Sequence, residues 1–126
     1  MNLLAGWASV LLGFASGAVP GLYFWREDWL GGYSSWRRRM VRLAHISFFG
    51  LGFINLAFAF TLPPWETVHL AGALRWSAAL LVAGNVTMPA VCYLAAWRQG
   101  FRHLFVVPVA CEVIGVALLL AEVMAR

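Results

Sequence analysis

The chain has 126 residues, of which 63% are hydrophobic and 11% are charged. Soluble domains carry about a quarter charged residues, so this composition excludes an ordinary soluble domain and indicates an integral membrane protein. The net charge of +4 arises from nine arginines and no lysine. These arginines are too few and too scattered for a nucleic-acid surface. We therefore expect the lipid bilayer and other membrane subunits, or further copies of the chain, as partners.

Four apolar runs each approach the roughly 20 residues that a helix needs to cross a bilayer. Arginine-, glycine- or proline-bearing segments separate the runs, and Pro63 and Pro64 end the second one. The first run is longer than the apolar core of a signal peptide, so we expect a retained helix. The sequence predicts one all-α domain over 1–126, an integral membrane four-helix bundle with transmembrane helices at about 3–25, 40–62, 74–97 and 104–124.

The arginines concentrate on one side of the predicted helices. The connections after the first and third helices hold most of them: Arg26, Arg37, Arg38, Arg39, Arg98 and Arg102. The opposite side has Arg75 and Arg126. Cytoplasmic connections are enriched in arginine and lysine, so this asymmetry predicts that both termini face outward. We expect an inner (plasma) membrane of the bacterial type.

The first and third helices share a spacing that suggests a duplicated helical hairpin. Trp7 precedes Pro20 by the same interval as Trp76 precedes Pro89. A duplication would give a pseudo-twofold axis along the membrane normal. The alternative is a chance match, because leucine, tryptophan and proline are common in membrane helices.

Two histidines are predicted at similar depth, near the cytoplasmic ends of the second and fourth helices. His45 and His103 could face each other as axial ligands of haem b, since paired imidazoles in a helical bundle bind haem iron in this way. Arg42 and Arg102 lie nearby in the sequence and could neutralise the haem propionates. The alternative is that both histidines lie at the interface beside lipid phosphate.

Glu112 is the only carboxylate well inside a predicted span. An isolated carboxylate there is expected to be protonated or paired, with Asn55, Asn85, Thr87 or a histidine as candidate partners. In a proton-coupled transporter such a residue would be the proton-coupling site. The alternative is a protonated acid that holds two helices together through one hydrogen bond.

The sequence gives little indication of a metal site or of catalysis. Cys92 and Cys111 lie in apolar runs without a close second ligand, so we predict no metal site. No catalytic residues are predicted, because no hydrolytic set or phosphate-binding loop is present. We expect a non-catalytic accessory subunit of a redox or respiratory (electron-transport) membrane complex. The alternatives are the haem b protein, the Glu112 transporter and, with least support, a membrane enzyme at the arginine-rich interface.

Overall fold

The computed structural model describes residues 1–62 and 72–125, and the described residues contain helices and turns but no strand. The long helices are α1 (Asn2–Tyr23), α2 (Trp36–Thr61), α3 (Gly72–Trp97) and α4 (Val106–Met124). Short 3₁₀ turns occupy Trp29–Gly31 and Gln99–Phe105. Four helical segments are long and apolar enough to cross a membrane. The predicted all-α four-helix bundle is therefore confirmed. Pro63 and Pro64, the predicted connection at 65–72 except for Gly72, and the terminal Arg126 lie outside the described residues.

All four helices begin one to four residues away from their predicted starts at 3, 40, 74 and 104. α2 starts at Trp36 and not at 40, because the side chain of Ser35 caps it by accepting a hydrogen bond from the Arg38 backbone N–H at 3.2 Å. The arginine run thus lies in the first turn of a helix and not in a loop. α4 becomes α-helical at Val106, after the 3₁₀ turn that includes the predicted start at Leu104.

α2 and α3 form the centre of the bundle. α2 packs against α1 and α3, whereas α3 packs against α2, α4 and, to a smaller extent, α1. The apolar core lies between the central helices, and its buried side chains are those of Phe58, Leu62, Leu74, Ala78 and Leu81. Leu119 of α4 also packs against this core.

Glycines allow α1 and α2 to approach closely. A Cβ atom at Gly6 would lie 2.9 Å from the Gly52 carbonyl oxygen, and one at Gly13 would lie 2.8 Å from the Phe49 ring. A Cβ at Gly17 would overlap the imidazole of His45. The Gly13/Gly17 small-residue pattern on the first helix is therefore used for helix contact, as such patterns are in membrane bundles.

Asparagine side chains connect α1, α2 and α3. Asn2 Nδ2 donates to Asn55 Oδ1 at 2.9 Å and to the Ala78 carbonyl at 3.1 Å. Asn55 is fully buried, and its Nδ2 donates to the Leu81 carbonyl at 3.1 Å. Interhelical hydrogen bonds of this kind each contribute roughly 0.6 kcal/mol, up to about 2 kcal/mol. Asn55 thus serves to hold three helices together.

The two hairpins use different contacts. In α1–α2, Gly13 and Gly17 of α1 face ring atoms of α2, and Gly6 faces Leu56 and the Gly52 carbonyl. In α3–α4 there is one such glycine on each helix, Gly84 against Glu112 and Gly115 against Leu81. The duplicated hairpin and the outward-facing termini both remain predictions.

Candidate functional site

The most unusual polar group of the bundle is the carboxyl group of Glu112. Pro108, Glu112 and Gly115 recur at helical spacing and form the buried face of α4, which packs against α3. Glu112 is 9% exposed, and within the described part of the chain neither carboxyl oxygen has a hydrogen-bond partner. A buried polar group without a partner usually destabilises a fold by about 1–3 kcal/mol. This carboxyl group therefore calls for a functional explanation.

Gly84 provides the space for Glu112. A Cβ atom at Gly84 would overlap Oε1 of Glu112 and would lie 2.8 Å from its Cγ and Cδ atoms. One turn away along the same interface, the Ser77 hydroxyl donates to the Gly115 carbonyl at 2.7 Å. The interface between α3 and α4 thus contains one satisfied hydroxyl group and one carboxyl group in a glycine notch.

The predicted partners of Glu112 make other hydrogen bonds. The Asn55 side chain forms hydrogen bonds to α1 and α3, as described above. Asn85 Oδ1 lies 2.9 Å from the Ser9 hydroxyl oxygen. The Thr87 hydroxyl donates to a carbonyl of its own helix at 2.7 Å. None of these side chains hydrogen bonds Glu112 among the described contacts.

His45 is anchored to α1. Its Nδ1 lies 2.9 Å from the Gly13 carbonyl oxygen and 3.2 Å from the Ser16 hydroxyl. Because a carbonyl oxygen can only accept, a proton on Nδ1 fits this geometry. The imidazole also packs edge-on against Phe49, with ring centroids 5.3 Å apart. His45 therefore belongs to the contact between α1 and α2.

The predicted haem site is not assembled by the described contacts. His103 and Arg102 are exposed in the 3₁₀ turn that packs against α3 and α4, whereas His45 faces α1. The Arg42 guanidinium lies 4.5 Å from the centre of the Tyr33 ring, which engages it in a cation–π contact. These side chains provide neither a facing imidazole pair nor a propionate clamp, so the haem hypothesis has no structural support.

Metal ligands are likewise dispersed in the described residues. No group of three or more histidine, cysteine, aspartate or glutamate side chains there could hold a metal ion. Cys92 is buried on α3, and Cys111 is half-buried on α4; both are free thiols.

A groove between α1, α2 and α3 was not foreseen from the sequence. It encloses about 320 Å³ and is lined mainly by apolar side chains, including Leu12, Phe48 and Tyr93. The polar lining comes from Ser9 and Asn85. The groove depends on how three helices meet, so no local pattern in the sequence signals it. Its size and lining suit an apolar or amphipathic molecule.

Arg38 is the second feature that sequence reasoning missed. It is 3% exposed, whereas the sequence indicates for the arginine run only a role in orientation. Its guanidinium donates to the carbonyls of Phe24 and Arg26, at the end of α1. The serine before the run and the aromatic residues upstream were the available signals, since a capped helix begins early and aromatic rings attract guanidinium groups.

Comparison of the chain with family models, with curated proteins and with solved structures finds no match.

Proposed function

We propose that the chain is a non-catalytic subunit that joins another membrane protein through the outer face of α4. The observation that carries this proposal is the one-sided packing of that helix. Only 11% of the most apolar part of the segment Gln99–Met124 is buried, against 44% for the corresponding part of α3. Within residues 1–62 and 72–125, α4 packs mainly against α3, and its opposite side is uncovered.

The uncovered side of α4 has small side chains at helical spacing. Ala110, Ala117 and Ala121 are exposed, as is the larger Ile114, and all four lie opposite the buried side chain of Glu112. Small residues let another helix backbone approach closely, and van der Waals packing is a main source of helix association in membranes. Contact with lipid alone requires no such spacing. The occupant of this face is accordingly a helix of a second membrane protein.

A double substitution tests the α4 contact. Ala117→Leu with Ala121→Leu should reduce recovery of the companion protein about tenfold, as expected when close packing worth about 1.4 kcal/mol is lost. The measurement is the stoichiometry of the complex after extraction from native membranes in a mild detergent. Ala57→Leu changes an exposed alanine on α2 and should leave the complex intact. A chain that purifies alone, or only with copies of itself, would contradict the proposal.

A second candidate function is a small proton-linked carrier, which the unpartnered carboxyl group of Glu112 favours. Protonation and deprotonation of this group would alter the packing of α4 against α3 at Gly84. Asn85, the next residue of α3, lines the groove, so the carboxyl group and the groove flank the same helix. In this mechanism the groove holds an apolar substrate, and Glu112 exchanges the proton.

Glu112→Gln should abolish substrate-dependent proton movement if the carrier mechanism holds. Gln has nearly the same shape as Glu but cannot release a proton, so the fold should remain while coupling is lost. A trapped pH-sensitive dye in proteoliposomes reports proton entry after an imposed gradient, with and without a panel of apolar solutes. Glu122→Gln, at the end of the same helix, is the matched control and should retain the flux. An unchanged flux in Glu112→Gln would remove Glu112 from the mechanism.

A further inference from the structure

Arg38 has a guanidinium donor without a partner in the described part of the chain. Its Nη1 and Nη2 atoms lie 3.5 Å and 3.3 Å from the carbonyls of Arg26 and Phe24, which are long distances for N–H···O bonds. Its Nε atom is buried and has no hydrogen-bond partner within residues 1–62 and 72–125. A guanidinium group presents its donors as a planar fork that matches phosphate oxygens. Arg38 therefore has unused capacity for an oxyanion.

Aromatic rings hold this guanidinium in place. The Arg38 Cζ atom lies 5.3 Å from the centre of the Phe24 ring, 5.7 Å from that of Trp29 and 5.4 Å from that of Tyr33. Contacts of this kind fix an arginine more firmly than a solvated loop would. The arrangement is thus preorganised, which lowers the entropic cost of binding a ligand.

A cavity lies beside the fixed guanidinium. It has a volume of about 460 Å³ and is lined by Phe24, Glu27, Tyr33 and Arg38. Its lining therefore contains one cation and one carboxylate, together with aromatic rings. A purely anionic ligand would meet repulsion from Glu27, whereas a ligand that carries both a phosphate and an ammonium group would complement both charges.

The surroundings place this cavity at the depth of lipid headgroups. It lies next to the ends of two membrane-length helices, the C-terminus of α1 and the N-terminus of α2. Trp25 and Tyr33 are exposed around it, and such residues concentrate at membrane interfaces. A ligand that carries both a phosphate and an ammonium group therefore suits both the charges of the cavity and its position at the lipid headgroups.

We propose that this cavity binds the headgroup of an aminophospholipid, with the phosphodiester on Arg38 and the primary ammonium group on Glu27. The Arg38 guanidinium donates to a phosphate oxygen, and the Glu27 carboxylate accepts from the ammonium group. This inference is independent of the proposed subunit role.

The test compares lipids bound to the purified full chain in mild detergent, measured by native mass spectrometry. Phosphatidylethanolamine, phosphatidylglycerol and phosphatidylcholine are supplied in equal amounts. The wild-type chain should retain phosphatidylethanolamine about tenfold better than either competitor, the effect of one charge-assisted contact. Glycerophosphoethanolamine and inorganic phosphate, added separately, show whether the headgroup or phosphate alone is sufficient. Displacement of the lipid by inorganic phosphate at equal concentration would overturn the aminophospholipid assignment.

Two substitutions and one control complete the test. Arg38→Gln should lower retention of phosphatidylethanolamine about tenfold, whereas Arg37→Gln, which removes the same charge from an exposed neighbour, should not. Equal losses in both variants would mean that only the overall positive charge attracts lipid, and would overturn the proposal. Glu27 is exposed, so Glu27→Gln should fold even if Arg38→Gln does not. It should abolish the preference over phosphatidylglycerol, and a retained preference would refute the role of Glu27.

Discussion

Gly52→Val should lower the free energy of unfolding by about 3 kcal/mol, at the upper end of the usual range for overpacking a tight contact. A Cβ atom at Gly52 would already lie 3.1 Å from the Ser9 Cβ and 3.2 Å from the Gly6 carbonyl oxygen. Valine adds two γ-carbons that have no space between these backbones. The only relief is separation of α1 from α2, which would also weaken the bond from the Ser9 hydroxyl to the Phe48 carbonyl.

The matched control is Gly50→Val in the same helix. A Cβ atom at Gly50 would have no atom within 4 Å, so the substitution should change the free energy of unfolding by less than about 1 kcal/mol. Both variants can be unfolded by denaturant in detergent micelles and followed by tryptophan fluorescence. Equal stability of the two variants would show that α1 does not dock on α2 at this position.

The sequence predicts the helices well because membrane spans depend on properties that each segment carries by itself. Length, hydropathy and proline positions define a span without reference to the rest of the chain. The contact role of Gly13 and Gly17 also follows locally, since small residues one turn apart leave a flat helix face. Such a pattern does not specify which helix packs against that face.

The structure adds side-chain direction and burial, which the sequence does not specify. His45 and His103 were paired because they lie at similar depth, but depth does not specify which neighbour a helix face meets. The α1–α2 contact directs His45 to the Gly13 carbonyl. Arg38 was grouped with its exposed neighbours, yet the helical turn capped by Ser35 directs it to the end of α1. Both outcomes depend on tertiary packing, which no single segment of the sequence specifies.

Glu112→Met should raise the free energy of unfolding by about 1–3 kcal/mol, the reverse of the usual effect of a substitution in a buried interface. Methionine is unbranched and flexible, so it can fill the space beside Gly84. The substitution removes two buried oxygens that have no hydrogen-bond partner in the described structure. Ser77→Ala, in the same interface, should instead lower stability by about 1 kcal/mol, because the bond from Ser77 to the Gly115 carbonyl is lost.

The free energy of unfolding is expected to rise in Glu112→Met and to fall in Ser77→Ala. These opposite changes test whether the Glu112 carboxyl group stabilises the fold or is retained for a function. Both variants can be compared with the wild type by denaturant unfolding in the same detergent. Destabilisation by Glu112→Met would mean that the carboxyl group is satisfied in the folded chain and acts as a structural residue. Stabilisation would mean that the carboxyl group is retained although an apolar side chain packs better, the pattern expected of a functional group held at the expense of stability. Proton movement in proteoliposomes would then connect that stability difference to the carrier mechanism.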